Sequence, residues 1–208
     1  MKIANLTVTH PGHATFVIEG KKIVYTDPYI LPANPEKADL ILITHDHYDH
    51  CDADKVKQIQ KDSTVIVTTA DCAKKLSGNI KVMKPGQDLT VEDVQIKTVP
   101  AYNVGKPYHP KQNDWVGFVF TIENITFYLA GDTDFIPEMR GIKAEVALLP
   151  IGGTYTMDID QAVQAVLAIK PKTVIPMHYN TFDGIEADSN EFKKKVEAGN
   201  PNIDVQIL

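Results

Sequence analysis

The stretch from Leu40 to His50 places the tightest restriction on what this chain can fold into. Residues 40–43 are aliphatic and bounded by polar residues, which is typical of a short buried strand. The next residues are Thr-His-Asp-His-Tyr-Asp-His, so imidazoles and carboxylates follow where that strand ends. Binding and catalytic groups are often carried by loops at strand ends. We therefore predict that this strand delivers residues 45–50 into a functional site.

The chemistry of this segment indicates a metal site. His45 and His47 lie two residues apart, so an extended backbone would point both imidazoles to the same side. A bend after them would turn Asp49 and His50 towards a second position. Imidazole and carboxylate ligands suit a divalent ion such as zinc, manganese or iron. A histidine-rich surface loop is the alternative, but four ligands in six positions favour two divalent metal ions.

The pattern His-x-His-x-Asp-His resembles the signature of the metallo-β-lactamase superfamily. Further segments narrow the resemblance to one branch: Gly12–Phe16, Pro100–Asn103, His109–Lys111, Trp115–Phe118, Gly131–Asp134, Pro150–Gly153 and Pro176–Phe182. That branch consists of small metal-dependent hydrolases similar to the L-ascorbate-6-phosphate lactonases. The resemblance covers almost the whole chain. It implies an α/β (α+β) fold, the four-layer αβ/βα sandwich, in which two sheets pack together with helices outside.

The resemblance also implies how the ligands are divided. It assigns His45, His47 and His109 to the first ion. It assigns Asp49, His50 and His178 to the second ion. Asp132 matches the bridging carboxylate, and its two oxygens could bind both ions at once. Asp132 and His178 each follow a predicted strand, as His45 does. Asp134 is expected to cap or support the turn.

Two residues of the N-terminal part are candidates for supporting roles. Asp27 ends a predicted strand where the superfamily keeps an acidic residue behind its ligands, and such a carboxylate can fix the tautomer of a ligating imidazole. The alternative for Asp27 is an ordinary turn aspartate. His13 matches the family's Gly-His-Ala element and would contact the site, or else satisfy backbone groups in its turn.

The polar loop at residues 102–114 is the second informative segment. Asn103 is a candidate substrate or supporting residue within it. Lys106 and Lys111 could meet an anionic group of the substrate, although a solvated loop would carry lysines too. Tyr155 follows paired glycines that permit close backbone approach, and it could line the pocket.

Local patterns predict the remaining elements. The expected strands at the start of the chain cover residues 3–9, 14–19 and 22–26. A helix capped by Asp52 or Asp54 should end near Lys61. Asp158 and Gln161 have capping-box spacing and open a helix that runs to Ile169.

Composition sets the remaining bounds. A chain of 208 residues with 43% hydrophobic and 23% charged residues is typical of one globular domain, here residues 1–208. The net charge of -6 opposes a nucleic-acid partner. Because no segment is long and apolar enough for a signal or a membrane span, we expect a soluble cytoplasmic protein that binds a small molecule. Relatives of this branch often form homo-oligomers, but no interface signature stands out.

Two cysteines do not form a disulfide framework. Cys51 follows His50 directly and could be taken for a ligand. A small buried residue is the alternative that we favour, because histidines and aspartates already supply enough ligands.

These observations predict a binuclear metal-dependent hydrolase. A hydroxide bridging two divalent ions would attack a lactone or phosphoester of a small metabolite, which could be anionic, with Asp49 or Asp132 taking the proton. A phosphodiesterase or nuclease, a redox di-iron protein and a non-catalytic, metal-stabilised scaffold are the alternatives. His47 opposes the redox alternative, because flavo-di-iron relatives carry Glu there.

Overall fold

The computed structural model describes residues 1–208, which divide into two compact units. Unit 1 comprises residues 1–84 together with Leu208, and unit 2 comprises residues 85–207. Each unit is built on one seven-stranded mixed sheet.

Unit 1 contains the first seven strands, and they lie in the sheet in chain order. They are β1 (Lys2–Ile3), β2 (Leu6–Gly12), β3 (Thr15–Glu19), β4 (Ile23–Thr26), β5 (Leu40–Leu42), β6 (Val65–Thr68) and β7 (Asn79–Val82). Strands β1 to β4 are antiparallel, whereas β4 to β7 are parallel. Helix α1 (Ala53–Ile59) and a 3-10 helix at Cys72–Lys74 complete the unit.

The core of unit 1 explains why the aliphatic run forms a strand. Every residue of β5 is buried, and Ile41 packs in the same hydrophobic cluster as Val56 and Ile59 of α1. Asp52 accepts hydrogen bonds from the N–H groups of Asp54 and Lys55, so it is the residue that caps α1.

The start of the chain differs from the prediction of one strand at residues 3–9. Ala4 has a φ of 50°, and a turn at residues 4–5 separates β1 from β2, which pair as a hairpin. Alternation of apolar residues did not reveal the turn, because Ala is not a residue that favours a positive φ.

Unit 2 repeats this topology. Its strands are β8 (Asp88–Val91), β9 (Val94–Pro100), β10 (Val116–Ile122), β11 (Ile125–Leu129), β12 (Val146–Pro150), β13 (Thr173–Met177) and β14 (Asp204–Val205). They too lie in sequential order, antiparallel from β8 to β11 and parallel from β11 to β14. Helices α2 (Ile159–Ile169) and α3 (Ser189–Gly199) pack on each other, and short 3-10 helices lie at Lys111–Asn113 and Pro137–Gly141.

In each sheet the parallel strands direct their carboxyl ends to one edge, the usual place for binding residues in open α/β sheets. In unit 1, β4 leads into Asp27 and β5 leads into His45. In unit 2, β11 leads into Asp132 and β13 into His178. The fold therefore gathers the candidate residues of each unit at one edge of its own sheet.

Candidate metal centre

The residues after β5 form a tight, largely buried cluster of imidazoles and carboxylates. The backbone turns at once, because the N–H groups of His50 and Cys51 both donate to the carbonyl of His47. The ring centroids of His45 and His47 lie 4.7 Å apart, and those of His45 and His50 lie 4.1 Å apart. His45 and His50 are almost fully buried. This compactness suits side chains that bind two neighbouring cations.

Asp27 holds two parts of this segment in place. One of its carboxylate oxygens accepts the backbone N–H of Thr44 at 2.8 Å. The other lies 2.8 Å from the Thr44 hydroxyl and 2.8 Å from Nδ1 of His50. With its proton on Nδ1, His50 presents Nε2 as the nitrogen that would coordinate a cation. Asp27 thus faces inward and contacts both Thr44 and His50, as the predicted supporting role requires.

The hydroxyl of Thr44 extends this network to a second imidazole. Because it donates to Asp27, it can accept the proton of His45 Nδ1, which lies 2.9 Å away. His45 therefore also directs Nε2 towards a ligand position. Sequence analysis had no signal for this role, since a threonine beside a histidine is common.

His13 lies in the same cluster, with Nε2 2.9 Å from an oxygen of Asp49. Ligand atoms of His13, Asp49 and His50 lie within 4.8 Å of one another. The backbone of His13 has a φ of 58°, and its carbonyl accepts a hydrogen bond from Nε2 of His10 at 2.9 Å. Burial lowers the pKa of His10 below its usual value, which fits a neutral donor ring. The contact spans only three residues, so His10 has a local structural role beside His13.

Unit 2 contributes a second cluster around one carboxylate oxygen. Oδ2 of Asp132 lies 3.2 Å from Nε2 of His109 and 3.1 Å from Nε2 of His178. Ligand atoms bound about 2.0–2.1 Å from a tetrahedral zinc ion lie about 3.3 Å from each other, so both separations suit shared coordination. All three side chains are almost fully buried. Asp132 lies between two imidazoles, as a bridging carboxylate would.

Asn103 fixes the orientation of His109. Its Oδ1 accepts both the backbone N–H and Nδ1–H of His109, each at 3.0 Å, which directs Nε2 towards Asp132. Its Nδ2 donates to the carbonyl of Tyr155 at 2.9 Å. The ring of Trp115 lies 5.6 Å from that of His109. Asn103 is therefore a support for a predicted ligand and ties two loops of unit 2 together.

The two lysines of the loop make contacts within unit 2. Lys106 donates to Asp134 and to the carbonyls of Gly153 and Thr156 at 2.6–2.8 Å. The Lys111 ammonium lies 2.9 Å from Glu138, and this partner raises the pKa of Lys111. Their contact with a substrate anion stays a prediction, and it would have to replace or share these interactions.

The backbone of His178 packs directly against Gly152. Its φ is 55°, and a Cβ added to Gly152 would lie 2.4 Å from the carbonyl oxygen of His178. Only glycine can occupy that position without a backbone shift. This is the close approach that the paired glycines predicted, and the backbone it meets is that of a predicted ligand.

The predicted ligands divide between the units. Unit 1 carries His45, His47, Asp49 and His50, while unit 2 carries His109, Asp132 and His178. Cys51 and Cys72 are both buried and unbridged, and both belong to the hydrophobic core of unit 1. The donor set of imidazole and carboxylate fits a divalent ion such as zinc or manganese.

Comparison with known proteins identifies the family. A profile described as the Beta-lactamase superfamily domain matches residues 7–178. A UPF0173 metal-dependent hydrolase of Thermoplasma acidophilum is 40% identical over 202 residues, which cover 91% of this chain and 90% of that protein. The chain belongs to the UPF0173 family of the β-lactamase superfamily. This UPF0173 protein is accordingly a metal-dependent hydrolase, as the sequence predicted.

Solved structures agree with this family. The structure of Igni18, a metallo hydrolase from Ignicoccus hospitalis, has a TM-score of 0.82 at 30% identity and covers 98% of this chain and 94% of that chain. A candidate metal-dependent hydrolase from Parabacteroides distasonis gives a TM-score of 0.86 at 33% identity, with 97% and 92% covered. The predicted αβ/βα sandwich class is confirmed for this UPF0173 protein. None of its helices is long and apolar enough to cross a membrane.

Proposed function

We propose that the two clusters act together as one binuclear centre that hydrolyses a lactone or phosphoester. The first ion would be held by His45, His47 and His109, and the second by Asp49, His50 and His178, with Asp132 shared. Two observations support this division: His45 and His50 each direct Nε2 away from their supporting oxygens, and Asp132 lies between the imidazoles of His109 and His178. The Asp132 geometry carries the proposal.

Two divalent ions, when bound, supply an acidified water and polarise the electrophilic oxygen. We expect both ions to be zinc or both to be manganese, and iron is the alternative. The residues of the chain hold these ions and move the proton. Asp49 is suited to accept it, because its carboxylate already lies 2.9 Å from Nε2 of His13. His13 would hold the carboxylate of Asp49 in position before the reaction.

Hydrolysis also requires that the leaving group receive a proton. A lactone or phosphoester releases an alkoxide, and Asp49, once protonated, can return that proton. No serine or cysteine nucleophile is needed, and both cysteines lie in the hydrophobic core of unit 1. The redox alternative is less consistent with this site, because His47 occupies the position where flavo-di-iron relatives carry a glutamate.

The test combines metal content with turnover. The untagged protein should contain about two ions per chain and hydrolyse members of a panel of lactones and phosphodiesters, and Asp132→Ala should lose turnover by about 10²-fold or more. Asp93→Ala, an exposed aspartate on the turn between β8 and β9, serves as the matched control and should behave like wild type. Full turnover by Asp132→Ala would refute the proposed centre.

A further inference from the structure

The loop between β9 and β10 exposes apolar side chains beside a predicted metal ligand. Val104 is 60% exposed and Tyr108 is 42% exposed, and Tyr108 directly precedes the buried His109. Most large apolar side chains of this protein are buried, so two exposed ones within five residues form a local patch. We call Val104, Tyr108 and Tyr155 the apolar rim.

Two tyrosines of the apolar rim are connected to the predicted ligand His109 through Asn103. The rings of Tyr108 and Tyr155 lie 4.7 Å apart at an interplanar angle of 79°, a favourable edge-to-face contact. The carbonyl of Tyr155 accepts a hydrogen bond from Asn103, and the same Asn103 side chain holds His109. One amide therefore links the backbone of Tyr155, a residue of the rim, to the imidazole of His109.

The two lysines of this loop already have polar partners within unit 2. The ammonium of Lys106 makes three hydrogen bonds within unit 2, one of them to the carboxylate of Asp134. Lys111 pairs with Glu138 and also lies over the ring of Tyr102, 4.4 Å from its centroid. A substrate anion would have to compete with these partners, whereas an apolar group would meet the rim without displacing any of them.

We propose that the apolar rim is a specificity subsite that binds an uncharged, apolar substituent of the substrate, either an acyl chain or an aromatic ring. This inference rests on the proposed function, since it places the hydrolysed bond at the metal centre beside His109. It assigns the substrate to neutral amphipathic esters and lactones or to aryl phosphodiesters, and it makes a sugar phosphate a poor fit.

The test measures binding, so that it does not depend on turnover. Acetate and octanoate carry the same carboxylate, which can anchor at a metal ion, but only octanoate has a chain that can reach the rim. Their dissociation constants for the zinc-loaded full chain are measured by titration calorimetry. Octanoate should bind at least about tenfold more tightly than acetate, the gain expected from burying about two methylene groups.

Two variants at one position separate the subsite from general damage. Tyr108→Ala should reduce the octanoate preference by about fivefold and leave acetate binding unchanged, because it removes ring surface only. Tyr108→Phe keeps the ring and should keep the preference. Octanoate that binds no tighter than acetate, including the case in which neither binds, would overturn the subsite. The subsite would also be overturned if Tyr108→Ala lowered the affinity for acetate and the affinity for octanoate by the same factor.

A self-association site would also overturn it. If Tyr108→Ala lowers the molar mass measured by light scattering, the rim is a contact between copies of this chain. The proposed function fails differently: absence of hydrolysis across the panel, with the octanoate preference intact, would refute hydrolysis of these esters and leave the apolar rim standing.

Discussion

The carboxylate of Asp27 illustrates how much a single residue organises at this site. It is fully buried, has a φ of 35° and lies within hydrogen-bond distance of Thr44 and His50. A carboxylate in this position fixes the tautomer and the orientation of the imidazole that it holds, and it strengthens that ring as a metal ligand. The contribution of this residue is therefore electrostatic as well as geometric.

Asp27→Asn removes the charge and replaces one acceptor oxygen with an N–H donor, and it keeps the backbone conformation because Asn tolerates a positive φ as well as Asp does. We expect the affinity for one metal ion to fall by about 10- to 100-fold, since the amide supports His50 less strongly. Titration calorimetry with zinc measures the loss. Asp62→Asn, at an exposed aspartate elsewhere in unit 1, should bind zinc like wild type. Unchanged affinity in Asp27→Asn would contradict the supporting role.

The candidate ligands can be recognised from the sequence more readily than the residues that contact them, and the reason is chemical. A cation requires imidazole or carboxylate groups, so their clustering is visible in residue types alone. Thr44 acts through Asp27, a neighbour that the fold supplies, and its residue type is unremarkable. Nor does a sequence show that Lys106 directs its hydrogen bonds to Asp134 and two carbonyl groups.

At the scale of elements, strand ends position the candidate residues. Buried strands such as β5 and β12 were predictable because all their residues are apolar and buried. The hairpin at the start of the chain was not predictable, because its turn places Ala4 at a positive φ, which alanine rarely adopts. The paired glycines after β12 predicted that another group approaches the backbone closely. They did not predict that this group is the backbone of His178, after β13.

Gly152→Ala tests that contact between strand ends. The added Cβ would lie 2.4 Å from the carbonyl oxygen of His178, so one backbone must move. We expect a loss of about 1–3 kcal/mol in the free energy of unfolding, measured by urea denaturation. Gly141→Ala is the matched control, because a Cβ there would have nothing within 4 Å. Equal stability of the two variants would show that the contact is not restrictive.

At the scale of the whole molecule, the two sheets share one topology, four antiparallel strands continuing into a parallel set. The fold class came from the resemblance rather than from periodicity, which cannot show how two sheets are arranged. The proposed centre takes ligands from both units, so metal binding should couple their stabilities. A ligand at 100 times its dissociation constant stabilises a protein by about 2.7 kcal/mol.

Metal removal tests this coupling. Zinc should slow backbone amide exchange in both units, and a chelator should reverse the effect, because ligands from each unit share the ions. Mass spectrometry of exchanged peptides measures each unit separately. In Asp132→Ala, zinc should lose most of its effect on unit 1 although the substitution lies in unit 2, whereas Asp93→Ala should respond like wild type. Undiminished protection of unit 1 in Asp132→Ala would exclude a joint centre.

The left-handed backbone at His13, Asp27 and His178 has a consequence for how this protein can diverge. Few side chains accept that conformation readily, and histidine, aspartate and asparagine are among those that do, whereas most others cost about 1–2 kcal/mol. A lineage that drifts towards a thiolate or a longer carboxylate at His178 would lose stability before any new chemistry appeared. His45 and His47, which lack this restriction, are the positions where natural variation or a designer could retune metal preference first.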